Sequence, residues 1–210
     1  MNSKLRCYLL LICFLFLGSI MAQQGVLDVT FNTVDDGLQG DGFDNIVRTV
    51  ALQADGDLIV EGDYLYFNGI SLPYLSRLKP DGTVDASFNL GSGFNGKVYS
   101  TLIQPDGKII VGGSFTSYNG IAVGRLIRLN SNGSSDTSFS TGLGVTNNIV
   151  YATAQQSDGK TIVVGSFTKY NTTNANRVVR ILPDGSLDST FAIGSGASGL
   201  VGEVKVQTAG

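Results

Sequence analysis

The chain has 210 residues, with 14 basic and 17 acidic side chains and a formal charge of −3, enough for one good-sized domain or a short array of repeats. It has no histidine and no tryptophan, and its two cysteines, Cys7 and Cys13, both lie near the N-terminus. The missing imidazole removes Ser–His and Cys–His nucleophile pairs and the commonest zinc ligand, and the acidic balance argues against nucleic acid, whose phosphates call for a basic face.

Residues 1–22 read as an export signal. Lys4 and Arg6 supply a positive start, an apolar run follows from Tyr8 to Leu17, and Ala22 offers a small residue for cleavage. The run is shorter than the ~20 apolar residues of a comfortable membrane span. Cleavage would remove both cysteines and both of these bases. The exported part would then have no disulfide and a larger acidic excess, and would be secreted, periplasmic or held at the cell surface, outside the membrane itself.

From residue 27 onward one unit is written about three and a half times. A first family of turns is Asp55-Gly56, Asp106-Gly107 and Asp158-Gly159. A second is Asp81-Gly82, Asn132-Gly133 and Asp184-Gly185, and both families are spaced 51 and 52 residues apart. A fixed period near fifty marks a repeat architecture. The units run 27–83, 84–134 and 135–186, with an incomplete fourth over 187–210, all within one repeat region, 23–210. The first unit carries six extra residues between Phe31 and Asp55 relative to the second.

Each unit opens on VRTVALQ, VYSTLIQ or VYATAQQ, rich in the Val, Tyr and Thr that suit a pleated, half-buried strand. The first turn follows, its residues tolerating the positive φ of a tight hairpin. DLIVEG, KIIVGG and KTIVVG come next, short apolar runs that fit strands buried on both faces. LSRLK, LIRLN and VVRIL supply a third strand. After the second turn, a phrase ending in Phe88, Phe139 or Phe191, with an earlier copy ending at Phe31, supplies the fourth. No segment after residue 22 shows a helical period, and 28 glycines suit tight corners rather than helices.

Four short strands per unit is the pattern of a propeller blade. The expected fold is therefore all-β: a partial β-propeller of four-stranded antiparallel blades in an open or truncated array. The string D-G-x-x-D-x-[ST]-F, then Q-x-D-G-K-x-[IV]-[IV], G-S-F-T-x-Y-N and R-[LI] resembles the delta-60 repeat family, exported bacterial β-propeller repeats of unknown function. The resemblance covers Leu27 to Gly210. The first unit departs from it, with Glu61-Gly62-Asp63-Tyr64 in place of Gly-Ser-Phe.

Arg77, Arg128 and Arg180 each precede an aspartate by eight residues, Asp85, Asp136 and Asp188. A strand–turn–strand of that length brings the two side chains together, and recurrence favours blade-stabilising ion pairs over three binding sites. The recurring phenylalanines are expected between neighbouring blades. Phe67, Tyr118 and Tyr170 are expected in packing, the other reading being an aromatic platform. Asp35, Asp36, Asp41 and Asp44 cluster in the extended first loop. Their spacing does not match a helix–loop–helix calcium pattern, so a solvated acidic loop is the first reading and calcium the second. No catalytic, cofactor-binding or metal-binding residue is assigned, and no cofactor. The expected role is an exported, non-catalytic structural or surface-binding module with an extracellular protein or glycan as partner. Closing the propeller would take further repeats or a partner chain. The alternative is a fragment of a polysaccharide-degrading propeller enzyme, which would need two non-repeated carboxylates in a cleft.

Overall fold

The computed structural model describes Phe31 and residues 41–207. The chain divides into two units, Met1–Phe31 and Asn32–Gly210. The expected export signal, residues 1–22, lies outside the described residues, as do Asp35 and Asp36.

The described part of the second unit is all-β. Sheet 1 contains β1 (Val47–Leu52), β2 (Leu58–Gly62) and β5 (Leu75–Leu78), with a small ribbon of β3 (Tyr66–Phe67) and β4 (Ile70–Ser71) inserted before β5. Sheet 2 repeats this with β6 (Val98–Ile103), β7 (Ile109–Gly113), the ribbon β8 (Ser117–Tyr118) and β9 (Ile121–Ala122), and β10 (Leu126–Leu129). Sheet 3 has β11 (Val150–Gln155), β12 (Thr161–Gly165), the ribbon β13 (Lys169–Tyr170) and β14 (Thr173–Asn174), and β15 (Val178–Ile181). All pairings are antiparallel, and β2, β7 and β12 take the central position.

The fourth segment of each blade joins by a single bridge, Leu78↔Val84, Leu129↔Ser135 and Ile181↔Leu187, rather than by a full strand. The next residue is the reason. The Asp85 side chain accepts the Ser87 amide at 3.0 Å and the Phe88 amide donates to the Asp85 carbonyl at 3.1 Å, so the chain curls away after one pairing.

The first turns are type I with a glycine bulge. Gly56 N–H donates to the Gln53 carbonyl and Gln53 N–H to the Asp57 carbonyl, at 3.0 and 2.8 Å. Only the glycine takes positive φ, 90° at Gly56, 80° at Gly107 and 83° at Gly159. The aspartate instead receives the amide two residues on, at 3.2, 3.1 and 3.1 Å in the three sheets. Asp55, Asp106 and Asp158 therefore occupy equivalent corners.

The core lies between sheets. Ile109 and Val111 of β7 pack with Ile59 and Leu75 of sheet 1, whereas Ile110 packs with Val163 and Ile181 of sheet 3. The central strand is thus buried on both faces, as its continuous apolar run implies. Phe88 and Phe139 fill the spaces between successive sheets. Phe191 is half-buried, with no fourth sheet beside it among the described residues, and Phe31, in the N-terminal unit, is exposed. First strands of successive sheets adjoin, and the Ser100 and Thr153 hydroxyls meet at 2.8 Å. The described sheets do not close into a ring. No helix among the described residues is long and apolar enough to cross a membrane.

Candidate functional site

The recurring arginines and aspartates meet in all three sheets. Nε donates to the aspartate Oδ2 at 2.7 Å for Arg77–Asp85, 2.7 Å for Arg128–Asp136 and 2.8 Å for Arg180–Asp188. Each guanidinium also lies over the phenylalanine that ends the phrase, 4.6, 4.5 and 4.5 Å from the ring centres of Phe88, Phe139 and Phe191. Nη1 then crosses to the next sheet. Arg77 donates to the Ser131 carbonyl and Arg128 to the Pro183 carbonyl, both at 2.7 Å, at equivalent points of the following second turn. Arg180 reaches Gln156 Oε1 of its own sheet instead, at 3.4 Å.

A second cation stands by each aspartate. Lys108 reaches Asp136 at 2.9 Å and Lys160 approaches Asp188 at 3.5 Å. Sheet 1 has Asp57 at that lysine position, and there Lys79 bridges Asp57 and Asp85 at 2.9 and 3.2 Å. Burial alone would raise the Asp85 and Asp136 carboxyls. The Ser87 or Ser138 hydroxyl and the surrounding cations outweigh it and hold both well below the usual carboxylate range. At Asp188 the Thr190 hydroxyl is the largest influence in the same direction. These side chains are engaged with one another and, in sheets 1 and 2, with the next sheet, as blade ties.

The aromatic residues before the ribbon turn are packing residues. Phe67, Tyr118 and Tyr170 are all buried, which removes the platform reading. Tyr118 donates its hydroxyl to the Gly133 carbonyl, and Tyr170 to the Gly185 carbonyl at 2.7 Å. The acidic loop reading changes as well. Asp44 is not special to the first unit, because its Oδ1 accepts the Leu65 and Tyr66 amides at 2.8 and 3.0 Å. Asn95 does the same for Thr116 and Ser117, and Asn147 for Thr168 and Lys169. An Asp for Asn exchange hid this equivalence in the sequence. Among the described residues no three acids gather as a metal site.

What does break the repeat lies at the junction of sheets 1 and 2. Asp63 stands where the other sheets have Ser114 and Ser166, and Arg48 where they have Tyr99 and Tyr151. Arg48 grips Asp63 with two bonds of 2.7 and 2.8 Å, and Lys97 adds a third of 2.6 Å from the next sheet. The Arg48 bond is the main cause of the lowered Asp63 pKa. Arg48 lies 4.7 Å from the centre of the Tyr99 ring, which meets Tyr151 edge-on at 5.4 Å. Two positions before Asp63 on the chain, Glu61 is fully buried. These two non-repeated acids are therefore a tightly paired carboxylate and an enclosed one. Surface cavities of about 350, 210 and 240 Å³ recur beside the ribbons; neither Glu61 nor Asp63 lines them, while Asp85, Tyr118 and Asp188 line one each.

The family model described as "Domain of unknown function (DUF5122) beta-propeller" matches three times, over residues 53–88, 104–139 and 156–191. The chain belongs to this family. Each match runs from the glutamine before a first turn to the phenylalanine stacked under the arginine, so one DUF5122 repeat holds the central strand, the ribbon, the third strand and the Arg–Asp tie, and leaves out the first strand of its sheet. No curated protein matches the sequence. A solved structure, a protein of unknown function from Bacteroides caccae, is similar at 13% identity and a TM-score of 0.39, covering 66% of this chain. The chain spans 46% of that protein's length.

Proposed function

We propose that this chain is an exported, non-catalytic β-propeller module of the delta-60 type, acting as a structural or surface-binding unit in the periplasm, at the cell surface or outside the cell. The supporting observation is that the recurring charged groups are engaged in ties within and between sheets, with Arg128 bonded at once to Asp136 and to the Pro183 carbonyl. A rigid array of this kind leaves its face loops to vary without disturbing the core. The partner would be an extracellular protein or glycan. Further repeats or a partner chain would complete the propeller.

The enzyme alternative draws on Glu61 and Asp63, two neighbouring acids outside the repeat. Asp63 is paired with two cations and Glu61 is enclosed, an arrangement that supports anchoring over acid–base exchange with a bound sugar. The test is to present the purified chain to arrays of extracellular polysaccharides and to assay the same polymers for new reducing ends. Binding without cleavage is the expected outcome. Cleavage abolished by Asp63→Asn with the fold retained would replace this reading with the enzyme.

A further inference from the structure

Sheet 1 departs from its two successors at several polar positions, and three of those departures come with a partner. Asp63 meets Arg48 at 2.7 Å, Asp57 meets Lys79 at 2.9 Å, and the Tyr64 hydroxyl meets Ser76 at 2.8 Å. Glu61 is different. It stands where sheet 2 has Gly112 and sheet 3 has Val164. Its exposure is 0%, and neither carboxyl oxygen has a hydrogen-bond partner. The buried Thr101 hydroxyl, on β6 across the junction, is close enough to hold the Glu61 carboxyl down a little, but the two do not reach hydrogen-bond geometry. In sheet 2 the equivalent space is closed, since a Cβ on Gly112 would lie 2.5 Å from the Val150 methyl group. The repeat therefore builds a tight seam between sheets, closed at sheets 2 and 3 by Val150 and the Ser100–Thr153 hydroxyl pair, and sheet 1 alone places an acid in it.

The surroundings favour the neutral acid. In register on either side are Thr49 of β1 and Leu75 of β5. The charged and titratable groups near it are Arg48 on β1 and Tyr64 just after β2, with Tyr99 of β6, Asp63 and Lys97 beyond around Arg48, which is already paired to Asp63. Burial is the dominant influence and pushes the Glu61 carboxyl up from its ordinary 4.5 to about 7, with Thr101 and Arg48 only partly opposing it. We propose that Glu61 is a proton-binding site that couples pH to the seam between sheets 1 and 2: protonated, it seals the seam; ionised, it draws water in and loosens β2 from β6. A group whose native pKa is raised contributes its full stability below its unfolded value and loses it as pH rises through the native value. The seam is tightest below about pH 4.5 and weakens through about pH 7. The chain has no histidine, so no side chain at its ordinary pKa changes charge between pH 5 and 8 to obscure the effect.

The test is amide hydrogen exchange on the full chain at pH 5.5 and 8, corrected for intrinsic rates. Peptides over 58–62 and 98–103 are expected to open at least roughly tenfold more at pH 8, since a carboxyl moved from 4.5 to about 7 carries more than one pKa unit of linkage between these two pH values. The isosteric Glu61→Gln variant, neutral at both values, is expected to change less than about twofold. Glu61→Val, the residue of sheet 3, should behave like the Gln variant. An equal response in wild type and Glu61→Gln overturns the proposal. So does an equal response at the seam of sheets 2 and 3, read over 150–155, or a Gln variant that cannot fold at pH 5.5.

Discussion

Arg128 donates from Nη1 to the carbonyl oxygen of Pro183, 2.7 Å away, and so ties the third strand of sheet 2 to the closing turn of sheet 3. The same guanidinium holds Asp136 and covers Phe139. One side chain thus fixes a turn, a ring and a neighbouring sheet. Arg128→Ala leaves a buried carboxylate with Lys108 as its one remaining cation and an unpaired carbonyl at the junction. The expected loss is about 3 kcal/mol or more by chemical denaturation. Arg180→Ala is expected to cost clearly less, because its Nη1 reaches only Gln156 Oε1 at 3.4 Å. Equal losses at the two positions would show that the cross-sheet bond contributes nothing.

Acid should unfold the array through Asp85, Asp136 and Asp188. Their carboxyls are held well below the ordinary value. A depressed native pKa contributes stability above the unfolded value, here 3.8, and that contribution is lost as pH falls further. The melting temperature is therefore expected to drop steeply below about pH 4, with a shallower slope for Asp136→Asn. A variant with the wild-type slope contradicts this.

Tyr170 tests the buried hydroxyls. Its hydroxyl donates to the Gly185 carbonyl at 2.7 Å with the ring fully enclosed. Tyr170→Phe keeps the ring, as Phe67 does in sheet 1, and leaves that carbonyl unpaired. The expected cost is about 1–2 kcal/mol. Thermal melts showing no loss would mean that water replaces the phenol.

Gly165 is required by close approach rather than by its own backbone angle. A Cβ there would lie 2.0 Å from the Ile149 carbonyl oxygen, and Gly62 and Gly113 are as constrained, at 2.1 Å from Ile46 and 2.2 Å from Lys97. The contact is with backbone, which cannot rotate away, so Gly165→Ala should cost roughly 1–3 kcal/mol. Gly120→Ala is a useful control, since φ is +75° but the space is open, and the cost there should be about 1 kcal/mol from the backbone alone.

The sequence alone determined what lies close along the chain. The spacing of Asp106-Gly107 and Asp158-Gly159 set the repeat, and the runs KIIVGG and KTIVVG marked central strands buried on both faces. The eight-residue separation of Arg128 and Asp136 placed them on one hairpin. Such features are local, because turn chemistry and strand periodicity act over a few residues. Only the tertiary structure decided what meets across a seam. It aimed Arg128 at Pro183, buried Tyr118 and Tyr170, made Asp44 the counterpart of Asn95 and Asn147, and curled the fourth segment away after one bridge. It also enclosed Glu61 without a partner while giving one to Asp63. Residues tens of positions apart meet there through packing of whole sheets, and no local period records which side chain will stand opposite.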